Sequence, residues 1–297
     1  MKTCISTYSF DRLLKAGQFT HYDAIDTVKR LGMDAVELQL DAKRPPAGES
    51  FLSYTEKLVS YAHSVGLTVP ILTVTANFHC DDPESEVKRI CGCVDVAAAC
   101  KIPMLRHDVT YAYLESDTVK TPQAVIAHVA PYIREVAEYA ASQGVRTCTE
   151  NHGRLLQDSD RMQALLDAVK HPNFGWLCDI GNFGAVDEDS VTAVSRLLPS
   201  LCFVHAKDCF VRSGMLYHPG RGFVATRGGN FRRATIFGHG DVPAYQILRA
   251  IRNTGYDGYV SIEHEGIEEP LLAIEMGAEN LCRMLADLDA EADRFKK

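Results

Sequence analysis

No stretch of the 297 residues approaches the roughly 18 uninterrupted apolar residues of a membrane-spanning helix, so no membrane association is expected. An excess of positive charge is also missing: 31 Lys and Arg against 39 Asp and Glu leave a net charge of −8. Nucleic-acid binders usually display a basic stripe, so a phosphate-backbone partner is not expected, although a small anionic substrate needs only a local patch. There is no Pro/Ser-rich or low-complexity linker, no phosphate-binding glycine loop, no dinucleotide fingerprint and no Ser-His-Asp arrangement. The opening Met1-Lys-Thr-Cys-Ile-Ser6 lacks the apolar run of a secretory signal. The ten cysteines therefore read as free thiols of a cytoplasmic protein in a reducing compartment. Cys91 and Cys93 form a C-x-C in a helical stretch, where positions two apart do not share a face, so a structural zinc site is not expected.

What the chain does have is rhythm. Hydrophobic residues make up 46% of it. Strand-like runs lie near residues 3–8, 35–40, 68–75, 102–107, 145–150, 175–179, 201–205 and 259–263. Amphipathic stretches alternate with them near 22–32, 51–65, 83–100, 120–143, 157–170, 188–199, 243–254 and 270–294. Such alternation implies βαβ units and a parallel sheet. Eight repeats predict closure into a single (β/α)8 TIM barrel spanning residues 1–297. Gly32, Gly66, Gly144 and Gly255 each fall just past a helical stretch, where a helix stop favours a left-handed residue.

One connection breaks the rhythm. A long loop over about 207–241 follows the seventh strand and carries Arg212, Arg221, Arg227, Arg232 and Arg233 among seven glycines. Loops of this length in compact domains are usually lids, binding loops or interface elements. Either a solvated basic excursion or contact with substrate or a second copy in a homo-oligomer fits it.

Four apolar runs of the C-terminal half end in residues of metal-ligand type: Glu150, Asp179, His205 and Glu263. A barrel puts the C-terminal ends of its strands on one face, so these four are expected to converge there. A lone carboxylate at a strand end is often a helix cap, and a lone His a hydrogen-bonded filler; four in series are harder to explain that way. Three carboxylates and an imidazole suit a hard or borderline divalent cation better than thiolate-loving zinc. Alternation along the strands puts Cys148 on the inner side with Glu150, and Cys178 and Cys202 toward the helices.

These strings resemble a known family. From Ile5-Ser-Thr-Tyr-Ser-Phe10 to Gly255-Tyr-Asp-Gly-Tyr-Val-Ser-Ile-Glu-His-Glu265, with Val204-His-Ala-Lys-Asp208 and Gly238-His-Gly-Asp241 between them, the chain is similar to the sugar phosphate isomerase/epimerase superfamily. These xylose-isomerase-like barrels include ketose 3-epimerases, hydroxypyruvate isomerases and inosose dehydratases. The resemblance implies one divalent cation, Mn²⁺ foremost with Mg²⁺ or Co²⁺ as alternatives, on Glu150, Asp179, His205 and Glu263. It also implies a carbohydrate substrate and proton abstraction next to a carbonyl, with Glu150 and Glu263 as the acid/base pair on the two faces of an enediolate. Endonuclease IV relatives share the barrel, but the acidic charge argues against them; a catalytically silent barrel would leave the ligand set unexplained.

The chain departs from the ketose 3-epimerases where they carry a substrate-binding His: Asn182 stands there. It has instead His152, His107 and His239. His152 is expected to be a third acid/base group or a neighbour orienting Glu150. His107, Asn182, Lys207, Arg212 and His239 are expected at the substrate. Extra imidazoles suit β-elimination, which needs an acid for the leaving group, so a lyase of the same superfamily, an inosose-type dehydratase or a carbon-glycoside deglycosidase acting on a 3-keto sugar, is the alternative. Glu37 reads as a structural hydrogen-bonder; Tyr8, Asn77, Phe78 and Trp176 read as core or as an apolar pocket wall. Lys207 and Asp208 are expected to pair with each other at the rim.

Overall fold

A computed structural model describes residues 1–295. In chain order its strands are β1 (Lys2–Ser6), β2 (Ala35–Gln39), β3 (Leu72–Val74), β4 (Met104–His107), β5 (Arg146–Glu150), β6 (Phe174–Asp179), β7 (Leu201–Ala206), β8 (Asp208–Arg212), β9 (Val224–Ala225), β10 (Phe231–Thr235) and β11 (Tyr259–Ile262). The helices are α1 (Asp11–Lys15), α2 (His21–Arg30), α3 (Phe51–Ser64), α4 (Pro83–Ala99), α5 (Pro122–Ser142), α6 (Ser159–Val169), α7 (Ser190–Leu197), α8 (Ala244–Asn253) and α9 (Pro270–Phe295). Strands β1 to β7 and β11 close into an eight-stranded parallel barrel, as the alternation predicts. No helix among the described residues is long and apolar enough to cross a membrane.

Local chemistry sets the element boundaries. Thr20 and Asp23 form a reciprocal capping box at the start of α2, while Asp82 and Thr121 cap α4 and α5 ahead of a proline in the first turn. Gly66 and Gly144 follow α3 and α5 at φ of 81° and 71°, a conformation that costs other residues strain. The third strand is shorter than its apolar run, at Leu72–Val74, because Pro70 interrupts it and cannot donate to the ladder.

Two compact units can be distinguished. One holds Glu37–Cys178 and Pro199–Cys202, with Leu58, Ile90, Val94, Leu105, Ile133, Val136 and Leu165 fully buried. Within it Glu37 accepts a hydrogen bond from the Thr73 hydroxyl at 2.7 Å, as its structural reading predicts. Phe78 and Trp176 are fully buried core, and the indole N–H donates to Asn151 Oδ1 at 3.1 Å. Cys202 departs from expectation: its thiol hydrogen-bonds the Trp176 carbonyl at 3.1 Å and lies against the Cys148 thiol. Cys202 is the second residue of β7, so its contact with Cys148 is made near the start of that strand. All ten cysteines are free thiols.

The other unit holds Met1–Val36, Asp179–Leu198 and the chain from Phe203 on, around Ile5, Ile25, Val28, Val204, Ile247, Leu248 and Leu281. The 207–241 segment lies in it and is more ordered than a bare loop. β8, β10 and β9 form a three-stranded antiparallel sheet, with Arg232 opposite Val211 and Arg233 opposite Phe210. Its turns are glycine-rich and its strands short, which is why the segment lacks a strand-like apolar run.

Candidate metal centre

On the first unit the site begins at the end of β5. Arg106 on β4 stands beside Cys148 in the sheet register and so shares the face of Cys148 and Glu150. Its guanidinium bridges Glu150 Oε2 at 2.7 Å and Asp108 Oδ1 at 2.6 Å, with Arg106, Asp108 and Glu150 side chains all at most 6% exposed. Asp108 also takes the Tyr111 hydroxyl at 2.5 Å and meets His152 Nδ1 at 3.1 Å. Burial pushes the Asp108 carboxyl up, but Arg106, His152 and Tyr111 outweigh it and hold the group at about 2. For His152 burial works downward and is outweighed by the Asp108 hydrogen bond and the Glu150 charge, so its pKa is raised.

His107 points elsewhere. It is fully buried against Phe78 and Phe174, with ring centroids 5.4 and 5.9 Å away, and its Nδ1 is 2.9 Å from the Asp108 carbonyl. Burial lowers its pKa to about 4. The neighbouring Arg106, not His107, reaches Glu150.

On the second unit Asp179 ends β6, and its Oδ1 accepts the backbone N–H groups of Gly181 at 2.8 Å and Asn182 at 3.0 Å. Gly181 must be small, because a Cβ there would stand 2.7 Å from the Lys207 carbonyl oxygen. Lys207, 2% exposed, sets its ammonium 2.8 Å from Asp179 Oδ2, 2.5 Å from Glu263 Oε2 and 3.4 Å from Glu265 Oε2. His205 Nδ1 lies 3.6 Å from Glu263 Oε2. Burial would raise the Glu263 pKa; Lys207 and His205 overcome it and hold the carboxyl well below its usual range.

Lys207 therefore does not pair with Asp208. Asp208 instead accepts the backbone N–H groups of Gly238, Gly240, Val242 and Cys209 at 2.8 to 3.2 Å. Successive strand residues point to opposite sides, which separates the two side chains. Arg212 is 43% exposed and bound to Asp241 at 2.8 Å, and His239 is exposed in the following turn. Neither is drawn to the carboxylate cluster, whereas Asn182 is buried beside Asp179.

Glu150, Asp179, His205 and Glu263 are all buried and each offers a ligand atom within 4.8 Å of the others. Residues with donor atoms gathered this closely would hold a divalent cation. The oxygen-rich donor set suits such an ion, and the Arg106 and backbone N–H contacts fix two of the carboxylates in direction. Arg106, Asp108, Tyr111 and Glu265 are site residues that the sequence pattern does not single out. The signal for Arg106 is its position inside an apolar strand, where a charge requires a partner.

The fold and ligand cluster define a class: the chain belongs to the xylose isomerase-like TIM barrel family, matching it over residues 25–287. Among curated proteins it is 30% identical over 161 residues to the rhizopine catabolism protein MocC of Rhizobium meliloti, covering 52% of this chain and 48% of that protein. The match thus spans about half the length of the relative. Among solved structures, the D-psicose 3-epimerase of Clostridium cellulolyticum H10, determined with D-tagatose, superimposes with a TM-score of 0.70 at 19% identity, covering 95% of this chain and 98% of that one. The probable 3-DHS dehydratase AsbF of Bacillus anthracis, involved in petrobactin synthesis, gives a TM-score of 0.70 at 19% identity over 94% and 99%. At these identities the likeness is one of fold.

Proposed function

We propose that this protein is a divalent-cation-dependent sugar isomerase or epimerase that removes a proton from the carbon next to the carbonyl of a keto-sugar or sugar derivative. The observation that carries the reading is the convergence of Glu150, Asp179, His205 and Glu263. A bound divalent cation, Mn²⁺ first and Mg²⁺ or Co²⁺ as alternatives, would supply Lewis-acid polarisation of the carbonyl. The chain supplies the proton handling. Glu150 and Glu263 come from different strands, so they can serve opposite faces of a planar intermediate; Glu150 is paired with the Arg106 guanidinium, and Lys207 and His205 favour the anionic form of Glu263. Arg106 positions Glu150, and the Gly181 and Asn182 amides position Asp179.

A second reading rests on the His152–Asp108 pair. Asp108 orients the ring and favours its protonated form, which provides an acid for a departing hydroxyl or alkoxide. With Asn182 in place of the epimerase histidine, this supports a lyase of the same family. The two readings separate in one experiment: the Mn²⁺-loaded protein is incubated in D₂O with keto-sugars, inososes, 3-keto-glycosides and rhizopines and followed by NMR. Deuterium at the carbon next to the carbonyl, with all hydroxyls retained, supports the isomerase or epimerase. Loss of water or an aglycone, with His152→Ala impaired as severely as the glutamate variants, supports the lyase. Turnover that retains the substrate's own label at the neighbouring carbon refutes both acid/base schemes.

A further inference from the structure

The antiparallel sheet of β8, β9 and β10 carries three arginines with different surroundings. Arg212 is bound to Asp241 at 2.8 Å. Arg233 lies over the rings of Phe210 and Phe223, 5.1 and 5.4 Å from their centroids, and faces Glu268 at 3.5 Å. The Arg232 side chain makes no hydrogen bond among the described residues although it is only 12% exposed; its ionic neighbour is Glu265 Oε2 at 3.9 Å. That distance is beyond hydrogen-bond reach.

The sheet register fixes where Arg232 points. It stands opposite Val211, whose side of β8 also carries Cys209. The Cys209 thiol hydrogen-bonds the Gly181 carbonyl, and Val211 lies 3.6 Å from the place a Cβ on Gly184 would take, so this face of the sheet is turned toward the end of β6. The Arg232 charge is felt at the Cys209 thiol. Glu265 Oε2, which Arg232 approaches, is the same oxygen that Lys207 approaches at 3.4 Å. Arg232 and Lys207 thus flank one oxygen at the edge of the Asp179–Lys207–Glu263 group.

A guanidinium that is mostly covered, with five N–H donors and no hydrogen-bond acceptor among the described residues, keeps its whole fork available to a ligand. Its planar fork matches a carboxylate or a phosphate with two parallel hydrogen bonds. Glu265 balances the charge while leaving the donors available. We infer that Arg232 is an oxyanion subsite beside the metal centre, and that the substrate carries a carboxylate or phosphate in addition to its carbonyl. This rests on the carbonyl chemistry proposed above and narrows its substrate class to acidic sugar derivatives.

The test is binding of three related ketoses to the full-length Mn²⁺-loaded protein by calorimetry: D-fructose, D-fructose 6-phosphate and 5-keto-D-gluconate. At least one charged ligand should bind 10-fold or more tighter than fructose, and which one does so identifies the oxyanion. In Arg232→Gln that preference should fall by about 10- to 100-fold, the range for losing a charge-assisted pair of hydrogen bonds. Arg232→Lys, which keeps the charge but not the fork, should restore more of a phosphate preference than of a carboxylate preference. A wild-type protein with no preference for either charged ligand, or a preference undiminished in a folded Arg232→Gln, would overturn the inference. Solvent-deuterium exchange is read in parallel: an Arg232-dependent preference without exchange removes the carbonyl chemistry and keeps the subsite, whereas exchange without the preference removes the subsite alone.

Discussion

Replacing Lys207 by Met tests the electrostatics of the carboxylate cluster directly. The ammonium is 2% exposed and touches Asp179 at 2.8 Å and Glu263 at 2.5 Å, so its loss leaves two buried carboxylates without their nearest cation. Removing one partner of a buried ion pair costs about 3–5 kcal/mol. An unfolding entropy of about 2.1 cal/mol/K per residue amounts to roughly 0.6 kcal/mol/K for 297 residues, so the melting temperature in EDTA should fall by about 5–8 °C. A divalent cation returns positive charge to the same oxygens. The variant should therefore gain more melting temperature from Mn²⁺ than the wild type does, and should bind the ion at least about tenfold more tightly, equivalent to about 1.4 kcal/mol of the lost energy. Thermal melts with and without Mn²⁺ and calorimetric titration measure both effects. A Lys207→Met protein that is unimpaired in EDTA, or that binds Mn²⁺ no better than wild type, would refute Lys207 as a charge competing with the cation.

Three further outcomes are expected. Glu150→Ala and Asp179→Ala should each lower kcat by more than about 100-fold and reduce metal content while far-UV circular dichroism still reports a folded barrel, since loss of supporting residues alone already costs about 10- to 100-fold. Asp108 has a folded pKa near 2 against an unfolded value near 3.9, so its depressed pKa contributes about 2.5 kcal/mol that is fully present above about pH 4 and lost as pH falls toward 2. Asp108→Asn should remove that acid-sensitive component from urea unfolding measured at pH 5 and pH 2.5. It should also move the alkaline limb of a His152-dependent activity downward. In Gly240→Ala the new Cβ would collide with Asp208 Oδ1, and the disturbance of its hydrogen bonds should cost about 2–4 kcal/mol and open the 213–230 segment to limited proteolysis.

Much of the barrel was legible because hydrophobic period and helix punctuation agree in it. The run at 145–150 becomes Arg146–Glu150, and the stretch at 83–100 becomes Pro83–Ala99 behind an Asp82 cap. The four candidate ligands were legible for a related reason: each stands at or beside the C-terminal end of an apolar strand of the closed barrel. Second-layer geometry was not. His107 and Arg106 are adjacent, so a choice between them is a choice of strand face, and only the cross-strand register with Cys148 assigns Arg106 to Glu150. The Lys207 contacts reach Glu263 and Glu265, nearly sixty positions away, and no local pattern announces such a pairing. The sheet at 208–235 escaped because its strands are short and arginine-bearing and lack an apolar alternation.

Asp208 gives that sheet a particular status. The excursion departs at Asp208 and returns through Gly238, Gly240 and Val242, all of whose amides are gathered on one carboxylate, while the Asp241 amide bonds the Cys209 carbonyl at 2.9 Å. The chain thus enters and leaves through a single knot. Between its two ends the segment is tied to its surroundings at Asp187, through Thr226, Gly228 and Asn230, and at Glu268, through Thr235, so a replacement segment has to keep or substitute for these contacts. Arg232 sits on the exchangeable side of the knot, and His205 and Lys207 on the fixed side. If Arg232 selects the substrate as inferred above, a graft between Cys209 and Gly240 should change what is bound while leaving His205 and Lys207 in place.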